Sequence, residues 1–325
     1  MSVGAYARAS DTGRKRRHNE DSYVVAPPLF AVADGMGGAQ AGEVASKLAA
    51  AALEDTDPGT ISGPEKVTQL IQEANRRVYE RANADPSTSG MGTTMTVALV
   101  EGDAVTIGHV GDSRAYLVRN HELEQLTEDH SLVNELLKSG KLSRAEAEVH
   151  PQRSVITRAV GTDPDVDVDA FVITVDIGDV FLLCSDGLTD MVADDDILQI
   201  VEKSPEDLDR VTKSLVAAAN RGGGEDNITV VAFAIAPGED ATLRMQAAEP
   251  DEDTLEGVPV PSPAIDTMVI PAADVESAFL EAGSDEALAI SHREPLGKGA
   301  RVRLVLTMLT LLGIAAVLLV WGLVR

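Results

Sequence analysis

Five times along this chain a carboxylate stands at the edge of a short apolar run, four times with glycine within two positions. Asp34 closes FAVAD and precedes Gly35. Asp112 follows VTIGHVG. Asp186 closes VFLLCSD and precedes Gly187. Asp226 follows a run of three glycines and Glu225 and leads into NITVVAFAI, and Glu20-Asp21 leads into SYVV. A strand end holds a carboxylate rigidly yet lets it reach a cleft, and glycine lets a carbonyl or a phosphate come close. One Asp-Gly alone would mark a turn. The recurrence at strand edges predicts that these groups converge. Converging carboxylates repel one another unless cations sit between them. Hard divalent cations such as magnesium or manganese, which take oxygen ligands and keep waters, suit that arrangement.

The apolar runs themselves read as strands at Leu29–Ala33, Met95–Val100, Val105–Val110, Ala115–Val118, Phe171–Val175, Val180–Ser185 and Ile228–Ile235. Turn signals such as Glu101-Gly102-Asp103 and Arg119-Asn120-His121 separate them at hairpin spacing. Val67, Leu70, Ile71, Ala74 and Val78 recur on one face of a helix. Gly42–Leu53 is alanine-rich and reads as helix, and a third helical region covers Asp195–Asn220. Hairpins with grouped helices predict an α+β fold of antiparallel sheets covered by helices. An apolar share of 44% is enough for a core. The net charge of −26, from 27 basic against 53 acidic residues, argues against a hold on nucleic acid, which needs cations on phosphates. Aromatic residues at 3% leave little for base stacking. The single cysteine, Cys184, excludes a disulfide framework within the chain.

Composition divides the 325 residues into three zones. Residues 1–237 hold the patterned apolar segments. Residues 238–297 carry 14 acidic residues against Arg244 and Arg293, with several prolines and no sustained period, the signature of a disordered linker. Residues 298–325 begin with Lys298, Arg301 and Arg303 and continue into Leu304–Val324, 21 residues without a charge. As a helix that stretch reaches about 31 Å, against a bilayer core of about 30 Å. The N-terminus has no apolar core of a secretory signal. The expectation is one C-terminal transmembrane helix, basic flank inside, with residues 1–237 on the cytoplasmic side of the cell membrane.

Arg14, Lys15, Arg16 and Arg17 cluster just before the Glu20-Asp21 carboxylates, where an arginine could grip a phosphoryl group with two bonds. The ordered set Arg16-x-x-Asn19-Glu20-Asp21, Asp34-Gly35-Met36-Gly37-Gly38, Gly92-Thr93-Thr94, Gly111-Asp112-Ser113-Arg114, Ser185-Asp186-Gly187-Leu188 and Glu225-Asp226-Asn227-Ile228-Thr229 resembles the metal-dependent Ser/Thr protein phosphatases of type 2C, the PPM family, in their bacterial form. The resemblance covers about residues 4–236. It implies an α-β-β-α four-layer sandwich of two antiparallel sheets, with a cleft at one end holding two Mn2+ or Mg2+ ions and a weaker third.

Carried over position by position, the resemblance implies that Asp34 bridges two cations, that Glu20 and the Gly35 carbonyl serve one of them, and that Asp186 and Asp226 hold the other. Asp112, with Asp186 and Asp190, forms the third site. Arg16 binds the substrate phosphate, while Asp21 and Asn227 give support. Gly92-Thr93-Thr94 reads as a strand entry with a packing role. The reaction implied is direct attack on phosphoserine or phosphothreonine by a hydroxide bridging the two metals. Met36 stands where some members carry a histidine, so that position has no proton to give. Residues 130–160 read as a flap, in which His130, Thr157 and Arg158 are candidates for substrate contact or packing. His109 and Cys184 read as buried strand residues. Thr267, in the acidic linker with Ile270 three residues on, is a candidate kinase site. The expected partners are phosphorylated proteins, among them membrane Ser/Thr kinases and their substrates. The competing reading is a catalytically inactive binding module on the same fold.

Overall fold

In the computed structural model, residues 1–37, 41–56, 61–148, 150–237, 245–246 and 268–269 are described. The apolar runs become strands: β1 (Ser2–Asp11), β2 (Asp21–Ala26), β3 (Leu29–Met36), β4 (Gly92–Thr93), β5 (Met95–Glu101), β6 (Ala104–Val110), β7 (Arg114–Arg119), β8 (Glu122–Gln125), β9 (Val155–Ile156), β10 (Asp169–Thr174), β11 (Val180–Cys184), β12 (Ile228–Ala236), β13 (Met245–Gln246) and β14 (Met268–Val269). The helices are α1 (Ala41–Asp55), α2 (Gly63–Ala84), α3 (Leu132–Lys138), α4 (Arg144–Glu148), α5 (Asp186–Thr189), α6 (Asp194–Glu202) and α7 (Leu208–Gly222). The strands form one sheet in the order β13-β1-β12-β11-β7-β8 and a second in the order β10-β6-β5-β3-β2, with β4 beside β3. The ladders are antiparallel except for two-residue parallel contacts of β13 with β1 and of β14 with β9.

Alternation along the strands assigns the layers, because successive side chains point to opposite faces. Phe30 and Val32 of β3 join Phe181 and Leu183 of β11 and Val231, Phe233 and Ile235 of β12 in the core between the sheets. Their neighbours Ala31 and Ala33 face the other way, onto Ala45, Ala49, Leu70, Ile71 and Val78 of α1 and α2. Leu182, Cys184, Val230 and Ala232 likewise meet Ile197, Val201, Val211 and Leu215 of α6 and α7. The result is helix, sheet, sheet, helix. At the centre Phe233 lies between two rings, stacked on Phe30 of the opposite sheet at 4.3 Å and on Phe181 at 5.0 Å.

Two departures from the sequence reading have physical causes. β1 was not among the expected strands, since SVGAYARASD is poor in large apolar residues. It forms because β12, from the other end of the domain, pairs with it from Ser2↔Ala236 to Asp11↔Ile228. The third helical region is not continuous. It breaks between α6 and α7 at residues 203–207, where Pro205 cannot continue a helix and Asp207 caps the next one by accepting from the Arg210 N–H at 3.0 Å.

The chain divides into two units, Met1–Val275 and Glu276–Arg325, and every described residue belongs to the first. Among the described residues no helix is long and apolar enough to cross a membrane. Leu304–Val324, Thr267 and nearly all of the acidic linker lie outside the described residues.

Phe233→Ala removes the middle ring of the inter-sheet stack, and the expected loss is about 3–5 kcal/mol in urea unfolding. Phe233→Leu, which keeps most of the volume, loses much less. An alanine variant as stable as the parent would mean that the sheets do not depend on this contact.

Candidate active site

Strands of both sheets deliver acids to one mouth. Asp34 lies near the end of β3 and opens its register with Asp21 of β2. Asp112 sits in the turn after β6. Asp186 begins α5 directly after β11, and Asp190 caps the same short helix one turn on. Asp226 stands two residues before β12. Their closeness is felt as charge. Burial, then Asp21, Asp186, Asp226 and Asp112, holds the Asp34 carboxyl well above the usual carboxylate range. Burial, then Asp112, Asp226, Asp190 and Asp21, does the same to Asp186. Burial pushes Asp21 up to about 7, against hydrogen bonds from Thr229 and Ser185, with Asp226 adding to the rise. Asp112 also reaches about 7 through burial, with Asp129 and Asp190 adding to it and Arg114 opposing. Asp190 is raised by burial, against Arg153 and Arg114.

Neutral groups fix the frame around these charges. The Asp34 N–H donates to Thr94 Oγ1 at 2.9 Å, and the Asp34 carbonyl accepts from Thr93 Oγ1 and the Thr94 N–H, both at 2.8 Å. Gly92-Thr93-Thr94 is thus a clamp on Asp34 as well as a strand entry. Asn227 spends its whole amide on the loop that carries Arg16 and Glu20. Its Nδ2 donates to the Thr12 and His18 carbonyls, each at 2.9 Å, and its Oδ1 accepts from the Glu20 N–H at 2.7 Å. Ser185 Oγ donates to Asp21 Oδ2 at 2.8 Å and accepts from the Thr229 N–H. The Gly35 N–H donates to the Glu20 carbonyl at 3.2 Å. A Cβ on Gly35 would stand 2.2 Å from the Gly42 carbonyl oxygen, so the start of α1 can approach β3 only because this residue is glycine. Glu20 Oε2 reaches the same spot, within 2.6 Å of where a Gly42 Cβ would lie.

Arg16 Nη2 donates to Asp226 Oδ2 at 2.8 Å, both side chains about a quarter exposed. A cavity of about 700 Å3 opens beside the acids. Asp112, Asp186 and Asp190 line one side, and Ser131, Asn134 and Arg153 of the flap line another. Arg114 holds Asp129 with two bonds, of 2.9 and 2.7 Å, at its edge, and Arg153 approaches Asp190 at 3.7 Å. Asp129, Ser131, Asn134 and Arg153 are not singled out by the sequence. Arg114 and Ser185 stand inside the quoted motifs without a role, and Thr94 is read there only as packing.

His130, Thr157 and Arg158 come together as a cluster at the base of the flap, joined to Asp169 of β10. His109 is fully buried, and burial, with His130 nearby, pushes it down to about 3. Its Nε2 lies 3.2 Å from the Glu128 carbonyl and its Nδ1 lies 3.0 Å from Thr96 Oγ1. Cys184 is fully buried in β11, where burial pushes its thiol up to about 12. Both match the structural roles expected of them.

The donor set fits hard divalent cations. Asp21 Oδ1 and Asp186 Oδ1 are buried with no hydrogen-bond partner among the described residues, on carboxyls raised by their neighbours. Among the described residues no three His, Cys, Asp or Glu side chains close around a single point as a complete ligand cage. Mg2+ and Mn2+ sites of this kind complete their shell with water.

A family model described as protein phosphatase 2C matches residues 14–220. The serine/threonine phosphatase stp of Listeria monocytogenes is 44% identical over 233 residues, which cover 68% of this chain and 92% of that protein. The crystal structure of the serine/threonine phosphatase PstP/Ppp of Mycobacterium tuberculosis matches with a TM-score of 0.68 at 40% identity, covering 72% of this chain and 100% of that one. A second structure, the PstP catalytic domain in complex with two manganese ions, matches with a TM-score of 0.66 at 38% identity, covering 73% of this chain and 100% of that one.

The resolved shifts of Asp21, Asp34, Asp112, Asp186 and Asp190 are all upward from 3.8, so over a window from about pH 4 to beyond 7 the folded protein holds protons that the unfolded chain has lost. This contribution to stability is full below about pH 4 and is lost as pH rises through 7. In EDTA the melting temperature is expected to fall between about pH 5 and 8, and manganese to restore it most at the alkaline end. Asp34→Asn should flatten the fall and shrink the manganese gain. An unchanged pH slope in that variant would remove the acid cluster as its cause.

Proposed function

We propose that this chain, which belongs to the protein phosphatase 2C family, is a serine/threonine protein phosphatase using two manganese or magnesium ions. The observation that carries the reading is the meeting of buried, mutually repelling acids from both sheets beside Arg16, at the rim of a polar cleft. In this reading Asp34 would serve two cations. Glu20 and the Gly35 carbonyl would help hold one, Asp186 and Asp226 the other, and Asp112 with Asp186 and Asp190 a weaker third. Bound cations supply a water acidified toward neutral pH and positive charge for the phosphoryl oxygens.

The protein residues have tasks of their own. Arg16, set by its bond to Asp226, can turn its guanidinium to two phosphate oxygens. Asn227 keeps Arg16 and Glu20 on one frame. No side chain serves as nucleophile. Ser185 is committed to Asp21, and the Cys184 thiol is buried and protonated, so the attacking group is water. Met36 has no proton to give and His130 Nε2 is engaged with Asp169, so neither is read as the acid for the leaving oxygen; a cation-bound water would serve.

The finer reading extends to setting. An uncharged Leu304–Val324 behind Lys298, Arg301 and Arg303 supports a single-pass anchor with the catalytic domain in the cytoplasm. Tethering there raises the effective concentration of membrane Ser/Thr kinases and their substrates, which we take as the partners whose signalling it reverses. Thr267 is read as a site those kinases modify in return.

Release of phosphate from a phosphothreonine peptide is expected with manganese and none with EDTA. Asp34→Asn and Asp226→Asn should abolish it with circular dichroism unchanged, and Arg16→Ala should lower it about 10²–10³-fold. Full turnover in either Asp variant would overturn the metal assignment. In cells, the chain is expected in the carbonate-resistant membrane fraction and, without residues 304–325, in the supernatant, with phospho-Thr267 detectable by mass spectrometry. A soluble full-length chain would remove the anchor, and an unmodified Thr267 in cells with active kinases the phosphosite.

A further inference from the structure

One polar side chain, between Asp129 and Ser131 of the cleft wall, is bonded on several sides. His130 is 5% exposed and faces two ways. Toward β6 its Nδ1 accepts from the Gly111 N–H at 3.0 Å, while its own N–H donates to the Gly111 carbonyl at 2.7 Å. Toward the flap its carbonyl accepts from the Thr157 N–H at 2.8 Å, and its Nε2 lies 3.1 Å from Asp169 Oδ2 of β10, the carboxylate that Arg158 of the flap also holds. A backbone N–H can only donate, so Nδ1 carries no proton, and the ring's hydrogen sits on Nε2 and is given to Asp169. Arg158 Nη1 donates to the other oxygen of Asp169 at 2.6 Å. Its 3.1 Å approach to Nε2 is a contact between two donors held by one carboxylate. Burial and Arg158 both disfavour a charge on His130.

The bond to Gly111 matters because Asp112 follows it. Gly111 has a φ of +112°, and a Cβ there would stand 2.6 Å from the Thr94 side chain. The turn therefore carries no side chain of its own at that residue, and the imidazole of His130 fastens it from outside.

We propose that His130 is a positioning residue that ties the rest of the flap, residues 131–160, through Asp169 and Arg158 to the Gly111–Asp112 turn, so that a cation held by Asp112 and the order of the flap rise and fall together. This rests on Asp112 as a cation ligand, the reading given above. The two faces of the ring can be separated. Asn at 130 keeps an acceptor where Nδ1 stood and loses the reach to Asp169. Gln keeps an amide donor near Asp169 and loses the acceptor for Gly111.

The experiment uses the full-length protein, with manganese titrated by electron paramagnetic resonance and flap exchange followed by hydrogen–deuterium mass spectrometry. In the parent, manganese should bind in a tight class and a weaker class, and filling the weaker class should slow exchange in residues 131–160. Asp112→Asn should lose the weaker class. His130→Gln should weaken that class about 10–100-fold, the range for groups that orient a metal ligand. His130→Asn should keep its affinity while flap exchange no longer responds to manganese. If both His130 variants lose the weak class equally, the ring only packs, and the proposal fails. If both behave like the parent, it fails as well. An unchanged titration in Asp112→Asn would instead remove the cation reading of Asp112, and the link would have nothing to act on.

Discussion

Like charges brought together out of water set the terms for this protein. Asp34 and Asp112 come from one sheet, Asp186 and Asp226 from the other, and each raised carboxyl feels its neighbours across the gap. Repulsion of that kind pushes the mouths of two stacked sheets apart. What opposes it is the apolar core between them. The Phe30–Phe233–Phe181 stack crosses from sheet to sheet, and each buried ring contributes about 1.5–3 kcal/mol. Cations at the mouth would act in the same direction by a different force.

The supports around the acids share a property. Thr93 and Thr94 on Asp34, Asn227 on the Arg16–Glu20 loop and Ser185 on Asp21 are all neutral groups that do not titrate near pH 7. Protons and cations can come and go at the carboxylates without changing the number of bonds that hold the backbone. The frame and the charge are thus separable, which is what a site that must bind and release cations and phosphate needs.

Much of this was legible in the linear chain, for a local reason. A short apolar run bounded by Asp and Gly is written within about ten residues, and so the pattern alone places Asp34, Asp112, Asp186 and Asp226 at strand edges. The four-layer order came from the resemblance. What stayed hidden is what depends on distant partners. β1 is weakly apolar and becomes a strand only against β12. The hydroxyl of Thr93 meets Asp34 across 59 positions, and His130 meets Gly111 across 19 and Asp169 across 39. Pro205 was visible, but the apolar stripe on either side of it masked the break between α6 and α7.

The burial of Cys184 has a consequence for how such a protein meets oxidative stress. Peroxides and disulfide reagents attack thiolates, and they need access to the sulfur. The one sulfhydryl here lies inside a strand, wholly covered, with its proton held to about pH 12. Hydrolysis that runs on water and carboxylates offers such oxidants no sulfenic acid to form. Dephosphorylation by this chain should therefore continue through an oxidative burst that silences enzymes built on a catalytic thiolate.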